Sequence, residues 1–509
     1  MVAEVRRGRA AQGGTLAAVA ESRSRRRLAW STAIFSLATG LSRVLGLVRE
    51  VFAAYYFGTT GRINAFTIAF QIPNLVRALV ADAALSSAFV PVFTELLEQG
   101  DRKRAWRVAS SLFWIMLLGL GALSALFILL APIAILPFGD PGGDKELAAN
   151  LARVLFPIVA LLGASGIVVG ILNTYDQFSI PALTPVAWNL AIILGLVLGV
   201  PHADGESAKL YVYAGSILAG TLIQVLMPLP WLRGLDDRLR VVVDWRDPAV
   251  KRVFKMMIPV TLGLGLINFN AFVDSIFASR LIDPNLAPTA IDKAFRLYML
   301  PQGMFSVAIA TVLFPTLARF AARSDMDGFR DTVAKGIRQI GFMLIPASVV
   351  SALLAEPMIR LVYQRGAFEG SQTPVVAACL AAFSAGLMFN GAMLMLNRAF
   401  FSLQLNWLPT WVALGNLALN AALDGVFYRF GAWGIPLATS IVNVAGTGAL
   451  LWLLRRRVGR LGFGETADGV VRIAVASGVA GGIGWLVWWV VDGRVGRGTG
   501  AQIFSLGLG

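Results

Sequence analysis

Two arginines and a glutamate interrupt LSRVLGLVRE, residues 41–50, inside a run that is otherwise mostly apolar from Leu28 to Phe57. A charge at the centre of a bilayer is penalised by at least about 2.5 kcal/mol. Arg43, Arg49 and Glu50 must therefore face something other than hydrocarbon. Arg77 and Asp82 raise the same demand in IPNLVRALVADAALSSAFVP, a stretch bracketed by Pro73 and Pro91. Asp274 sits in LINFNAFVDSIFASR, and Lys293 and Arg296 open a segment interrupted by Pro301, Gly303 and Pro315. A guanidinium is a rigid, permanently charged fork that matches phosphate or carboxylate. Arginines outnumber acids at these positions, so the surplus charge needs an anion. An amphiphile with an anionic head fits that need best. The competing reading is that these pairs only orient helices, or that Arg43, Arg49 and Arg296 snorkel to the interface.

No catalytic set competes with binding. The one histidine, His202, falls in a polar loop, so neither HExxH nor Ser–His chemistry is available, and no GxxxxGK[ST] loop is present. The glycine-rich stretch around 263–266 reads as helix packing in lipid, not phosphate binding. The expectation is a transporter without enzymatic activity, metal or cofactor. Glu50, Asp82 and Asp274 are the candidates for coupling to H⁺ or Na⁺, and the membrane potential is a third source of drive.

The elements that must position these charges follow from composition. The 509 residues are 57% hydrophobic and 14% charged, against roughly 25% charged in soluble domains. Apolar windows of about 20 residues, the length of a membrane span, recur along the chain. Thirteen spans are predicted: 30–57, 63–97, 108–137, 148–172, 181–200, 209–232, 253–280, 293–322, 336–355, 371–396, 404–424, 432–454 and 468–491. Gly40, Gly46, Pro73, Pro91, Pro301 and Pro315 are the places where such helices can bend. The lone Cys379 cannot form an intramolecular disulfide.

The net charge of +15 invites a nucleic-acid partner, but its placement argues against one. Arginines fill the first 29 residues and the loops 98–107, 233–252, 323–335 and 455–467, whereas 138–147, 201–208 and 281–292 carry acids instead. This is the positive-inside pattern, with basic segments facing anionic cytoplasmic lipid. It predicts a cytoplasmic N-terminus and, with thirteen spans, an outer C-terminus.

The chain also repeats itself. FVPVFTELLEQGD at 89–101 matches LFPTLARFAARSD at 313–325, and ILN at 171–173 matches MLN at 395–397, each at an offset of 224. Asn189 and Asn416 pair at 227. Two halves of six spans share one orientation, because six is even, and should be related by an axis along the membrane normal. The expected fold is all-α and polytopic: a basic leader at 1–29, six-helix lobes at 30–232 and 253–454, a basic linker at 233–252, and 455–509 with one extra helix at 468–491.

SRVLGLVRE at 42–50, FQIPNLVRALVADAALSSAFVPVFTE at 70–95, RLYMLPQGMFSVAIATVLFPTLAR at 296–319 and NRAFFSLQLNWLPTW at 397–411 resemble the MurJ/MviN family. That family sits in the multidrug/oligosaccharidyl-lipid/polysaccharide exporter superfamily and comprises bacterial inner-membrane flippases for lipid II, the undecaprenyl-pyrophosphate-linked peptidoglycan precursor. The resemblance covers about residues 30 to 455. It implies two six-helix lobes around a cavity, alternating access, and cavity arginines that fall on Arg43, Arg49, Arg77 and Arg296. The family's neighbouring acids fall on Glu50 and Asp82. This chain departs from the pattern at Asn64, Ala78 and Phe295, and only 18 residues follow 468–491, so the expectation is that part of the family's lipid-tail groove is missing here or is supplied by another subunit. The implied partners are lipid II, anionic membrane lipids and cell-wall synthesis proteins, with no nucleic acid. Another polyprenyl-pyrophosphate polysaccharide, or a drug, is the alternative cargo.

Overall fold

Apolar runs too long for strands, with caps between them, leave the backbone one way to satisfy its hydrogen bonds in lipid, the helix. The computed structural model describes residues 37–80, 83–405, 407–459 and 463–495, and no strand occurs among them. Helix α1 covers 37–57. It is followed by α2 (Ile63–Val80), α3 (Ala83–Glu98), α4 (Arg102–Ile135), α5 (Lys145–Leu155), α6 (Pro157–Thr174), α7 (Ser179–Leu194) and α8 (Glu206–Leu226). After an irregular linker come α9 (Pro248–Phe277), α10 (Ala287–Pro301), α11 (Val307–Ala322), α12 (Met326–Leu353) and the short α13 (Ala355–Tyr363). The chain continues through α14 (Thr373–Ser384), α15 (Leu387–Ser402), α16 (Trp407–Phe427), α17 (Gly434–Val458) and α18 (Phe463–Val495).

Eight stretches among the described residues are long and apolar enough to cross a bilayer, or nine if α14 and α15, bent by 43°, form one span. The protein is an all-α polytopic membrane protein. Nine of the thirteen expected spans fall on these stretches. The window 30–57 starts ahead of the described residues, and 63–97 carries α2 and α3 on either side of residues 81–82, which lie outside them. The windows 253–280 and 404–424 coincide with α9 and α16, which carry Asn270, Asp274, Asn420 and Asp424 as polar interruptions. Those interruptions reappear below as a polar cluster. The leader 1–29, the tail beyond 495 and Asp82 lie outside the described residues.

Buried apolar side chains form two clusters, one drawn from residues 53–257 and the other from Ala54 and residues 278–458. Helix α1 belongs to both, since Ala53 packs into the first and Ala54 into the second. Residues placed on α1 therefore face the boundary between the two cores.

Repeat-related positions also do the same local work. Asp101 caps α4 by accepting from the Arg104 amide, and Asp325 caps α12 by accepting from the Gly328 amide. Each satisfies an otherwise orphaned N–H of the first turn. The residues just before them, Gly100 and Ser324, both have left-handed φ, at 78° and 56°.

Pro73, Pro91 and Pro315 lie inside α2, α3 and α11. Pro301 ends α10 and is followed at once by a π-turn, Gln302–Ser306. A π-turn inside a long helix often marks a functional position.

Candidate functional site

The boundary between the cores holds five charged side chains. Arg49 and Glu50 enter from α1 with 9% and 4% of their surface exposed, and Lys293 enters from α10 with 4%. Glu50 is the hub. Its Oε1 meets Arg49 Nη2 at 2.7 Å and Arg296 Nη1 at 3.1 Å, and its Oε2 meets Lys293 Nζ at 2.8 Å. Arg296 Nε also pairs with Asp292 Oδ2 at 2.8 Å, one helical turn back.

Neutral groups complete the shell. Arg49 Nη1 donates to Asn189 Oδ1 of α7 at 3.2 Å, and its guanidinium lies 4.7 Å from the Trp188 ring centroid. Lys293 Nζ lies 5.6 Å from the Tyr363 ring of α13. Three cations thus face two carboxylates, which leaves one positive charge in excess. Taking each ion out of water costs several kcal/mol even after relaxation. Only dense pairing of this kind makes the cluster tolerable.

Arg43 stands six residues before Arg49, about 9 Å along the helix axis. It is exposed, and its guanidinium lies over Gly303 in the π-turn, where a Cβ would come within 2.7 Å of Nη1. Arg77 lies beyond the cluster on α2, where its Nη2 donates to Asn74 Oδ1 at 2.9 Å. A small cavity of about 30 Å³ adjoins the cluster, lined by Glu50, Thr67, Gln71, Tyr213, Asp292 and Arg296 among others. It has room for a water or two and none for a pyrophosphate. The structure thus brings Arg49, Glu50 and Arg296 together, and places Arg43 and Arg77 apart from them.

Neutral hydrogen bonds fasten the two halves beside the cluster. Gln372 Oε1 accepts from the amide and the hydroxyl of Thr59, both at 2.8 Å. Asn64 Nδ2 donates to the Asn285 carbonyl at 2.6 Å, while its Oδ1 accepts from the Thr289 amide at 3.0 Å. The Gly61 amide donates to the Asn285 carbonyl and the Ala367 amide to the Tyr55 carbonyl. Because each half contributes partners, the loops around residues 58–64, 285–289 and 367–372 form one seam.

Asp274 joins a different group. Asn420 Nδ2 donates to Asp274 Oδ1 at 2.6 Å and to Asp424 Oδ2 at 2.9 Å, so α9 and α16 share one amide between two carboxylates. Asn270 Nδ2 adds a longer contact to Asp274 at 3.3 Å. Asn420 and Asp424 are fully buried. Among the described residues, no group of three or more His, Cys, Asp or Glu side chains could hold a metal ion.

The sequence pattern singles out Arg296 but gives Lys293 no role, although their i, i+3 spacing puts both on one helix face. It is silent on Asn189, Asp292 and Tyr363, whose part depends on α7, α10 and α13 converging. Asp424 carried a usable signal, as an acid four residues after Asn420 in an apolar window.

A family model described as "Lipid II flippase MurJ" matches residues 53–499. A "Probable lipid II flippase MurJ" from Vibrio cholerae serotype O1 is 32% identical over 428 residues, covering 82% of this chain and 81% of its own length. One of the same description from Synechocystis sp. is 30% identical over 490 residues, covering 93% and 91%. Among solved structures, "Lipid II flippase MurJ, inward closed conformation" superposes with a TM-score of 0.76 at 26% identity, over 94% of this chain and 96% of that one. An inward-facing multidrug resistance MATE family transporter of the MOP superfamily superposes at 0.70 with 16% identity, over 82% and 95%, a likeness of fold alone.

Proposed function

The chain belongs to the lipid II flippase MurJ family, and from that premise we propose how its own residues carry the work. It is a multi-pass protein of the bacterial inner membrane, a transporter and not an enzyme, and its function is to flip lipid II. Lipid II leaves chemically unchanged.

Its architecture is two six-helix lobes, residues 30–232 and 253–454, related by an axis along the membrane normal and joined by the basic linker 233–252. The two separate cores and the matched caps at Asp101 and Asp325 support this reading. Helix α18 is an addition to the duplicated core. The N-terminus is cytoplasmic and the C-terminus outside, as the loop charges require. On that topology the seam of Thr59, Asn64, Asn285 and Gln372 closes the outer side.

Arg43, Arg49, Arg77 and Arg296 receive the pyrophosphate when the lobes part on the cytoplasmic side. The observation that carries this is the excess positive charge at the α1–α10 boundary, with Arg43 one and a half turns away. In the closed geometry Glu50 occupies the guanidinium forks of Arg49 and Arg296, so it stands where substrate phosphate must compete. Each phosphate–guanidinium pair is a charge-assisted hydrogen bond, stronger than a neutral one. Lys293 keeps Glu50 paired while the arginines turn to the ligand. An organic cation is repelled by the same charges, which disfavours drug export.

For drive, Glu50 and the Asp274–Asn420–Asp424 group are the candidates to take up a proton or Na⁺, with Asp82 a further sequence candidate. The potential supplies about 2.3 kcal/mol per elementary charge per 100 mV. The test is flipping of labelled lipid II in vesicles by R49A and R296A, normalised to folded protein. Loss of flipping with monodisperse protein is expected, and wild-type rates in both would make the arginines structural.

A further inference from the structure

The linker between the halves carries apolar and basic groups that the transport cycle does not use. From Arg238 to Arg246 it runs as an irregular strap against α4. Ser110 Oγ accepts from the Arg240 amide at 3.1 Å, Ser111 Oγ accepts from the Asp244 amide at 3.2 Å, and Trp114 Nε1 donates to the Arg240 carbonyl at 2.9 Å. With its backbone held from behind, every second side chain points away from the protein. Val241, Val243 and Trp245 are 79%, 53% and 69% exposed.

The level of the strap follows from helix geometry. From Trp114 to Ile135, α4 rises about 31 Å, the thickness of the hydrocarbon core. The last charge of α4 is Arg107, and the helix is uncharged from there to Ile135, so Trp114 and the strap bonded to it lie near the start of the apolar run. Beside the strap is a groove of about 500 Å³ lined by Leu229, Leu232, Leu235 and Leu239, with Arg233, Arg238 and Asp237 along it.

The linker's acids are turned to internal use. Asp236 pairs with Arg102 at 2.7 Å and accepts from Tyr175, and Asp247 pairs with Arg104 at 3.4 Å and caps α9. Asp237 accepts from the Arg238 amide and from Arg240, hydrogen bonds that hold its carboxyl below the usual range. Among the described residues no carboxylate pairs with the Arg233, Arg238 or Arg246 side chain. An outward apolar row, a leucine-lined groove and three guanidinium groups of the same linker with no carboxylate pairing them match a two-part ligand, an acyl chain with an anionic head.

We propose that residues 228–247 bind an anionic phospholipid of the cytoplasmic leaflet, with Val241, Val243 and Trp245 inserted at the headgroup boundary, a chain in the leucine groove and Arg233, Arg238 and Arg246 on the phosphate. This rests on the cytoplasmic placement of the linker given above. The ligand is a structural lipid and not the cargo.

The test uses the full chain with Cys379→Ser, spin-labelled at 241, 243 or 245, in nanodiscs containing phosphatidylglycerol or only phosphatidylcholine. With phosphatidylglycerol present, relaxation by oxygen should exceed that by a water-soluble nickel chelate at all three sites. Retention of labelled phosphatidylglycerol by R233A/R238A/R246A should fall on the order of 100-fold, at about 1 kcal/mol per arginine. Water-exposed labels in both nanodiscs, unchanged retention in the triple variant, or displacement of the bound phospholipid by lipid II would each overturn the proposal. Lys251→Cys in the exposed end of the same linker, probed on intact cells with an impermeant maleimide, judges the leaflet separately. Labelling there refutes the cytoplasmic placement, whatever the spin labels report about depth.

Discussion

Two buried polar clusters stand in this membrane protein, and they are built on opposite electrostatic plans. Around Glu50, three cations surround two carboxylates, drawn from α1 in one half and α10 in the other. Around Asn420, two carboxylates on α9 and α16 share its amide, and among the described residues no cation pairs with either. The first is short of negative charge and lies between the cores, where a large anion can reach it if the lobes separate. The second is short of positive charge and lies between α9 and α16, with Asn420 and Asp424 fully buried. Under the proposed function, charge sign and location divide the labour: capture of the head group is assigned to the first cluster and uptake of the driving ion to the second.

The largest expected effect comes from removing the hub of the first cluster. Glu50→Gln keeps the shape but leaves Arg49, Lys293 and Arg296 with Asp292 as their one counter-charge. Breaking a buried pair costs about 3–5 kcal/mol, so thermal unfolding in detergent should move down sharply and flipping should cease. A variant as stable as the parent would mean that water already screens the cluster, and the contrast with the second site would weaken.

A smaller loss is expected when charge is kept and the fork is removed. Arg49→Lys and Arg296→Lys should each lower the flipping rate by about tenfold, equivalent to about 1.4 kcal/mol, with little change in stability. A lysine holds the charge as a compact ammonium and cannot make two parallel bonds to phosphate. Full activity in both, measured per folded protein, would remove head-group capture from this cluster.

Asp424→Asn should leave lipid II binding unchanged and alter the response to the driving ion. It removes one of two carboxylates that lack a cation, so the remaining Asp274 no longer needs a shared charge to balance a neighbour. Flipping should be compared with and without a Na⁺ gradient and across external pH. An Asp424→Asn protein whose ion dependence equals the parent's would assign coupling elsewhere, with Glu50 next in line.

The fold class and half of this contrast were legible in the sequence, for separable reasons. Span-length apolar windows and alternating loop charge need no tertiary contact to be read, so the polytopic helical class followed directly. Arg49, Glu50 and Arg296 stood out because a charge in an apolar helix is rare and costly. Lys293 did not, since it directly follows the loop 281–292, where a lysine is unremarkable. Asp424 was hidden in a window whose asparagines also lower its hydropathy, and its partner Asp274 lies 150 positions earlier. Trp188, Asn189 and Tyr363 become neighbours of the charges only through helix packing, which no local pattern encodes.

The smallest expected effect separates the glycines that border the two clusters. At Gly303 a Cβ would come within 2.7 Å of Arg43 Nη1, whereas at Gly425, next to Asp424, the nearest atom would be Phe277 Cε1 at 3.9 Å, an ordinary contact. Gly425→Ala should therefore be silent in transport and slightly stabilising, by about 0.5–1 kcal/mol, through helix propensity alone. Gly303→Ala must push the end of a flexible side chain, which costs the fold little because Arg43 is exposed and can swing aside. It should therefore keep its melting temperature and lose a few-fold in flipping, because Arg43 is turned from the place where it lies over the π-turn. Flipping at parental rate in Gly303→Ala would show that the position of Arg43 in the closed state is incidental to capture. Equal losses in both variants would point to backbone flexibility as the shared cause, and would break the contrast between the cation-rich and the carboxylate-rich cluster at its most local point.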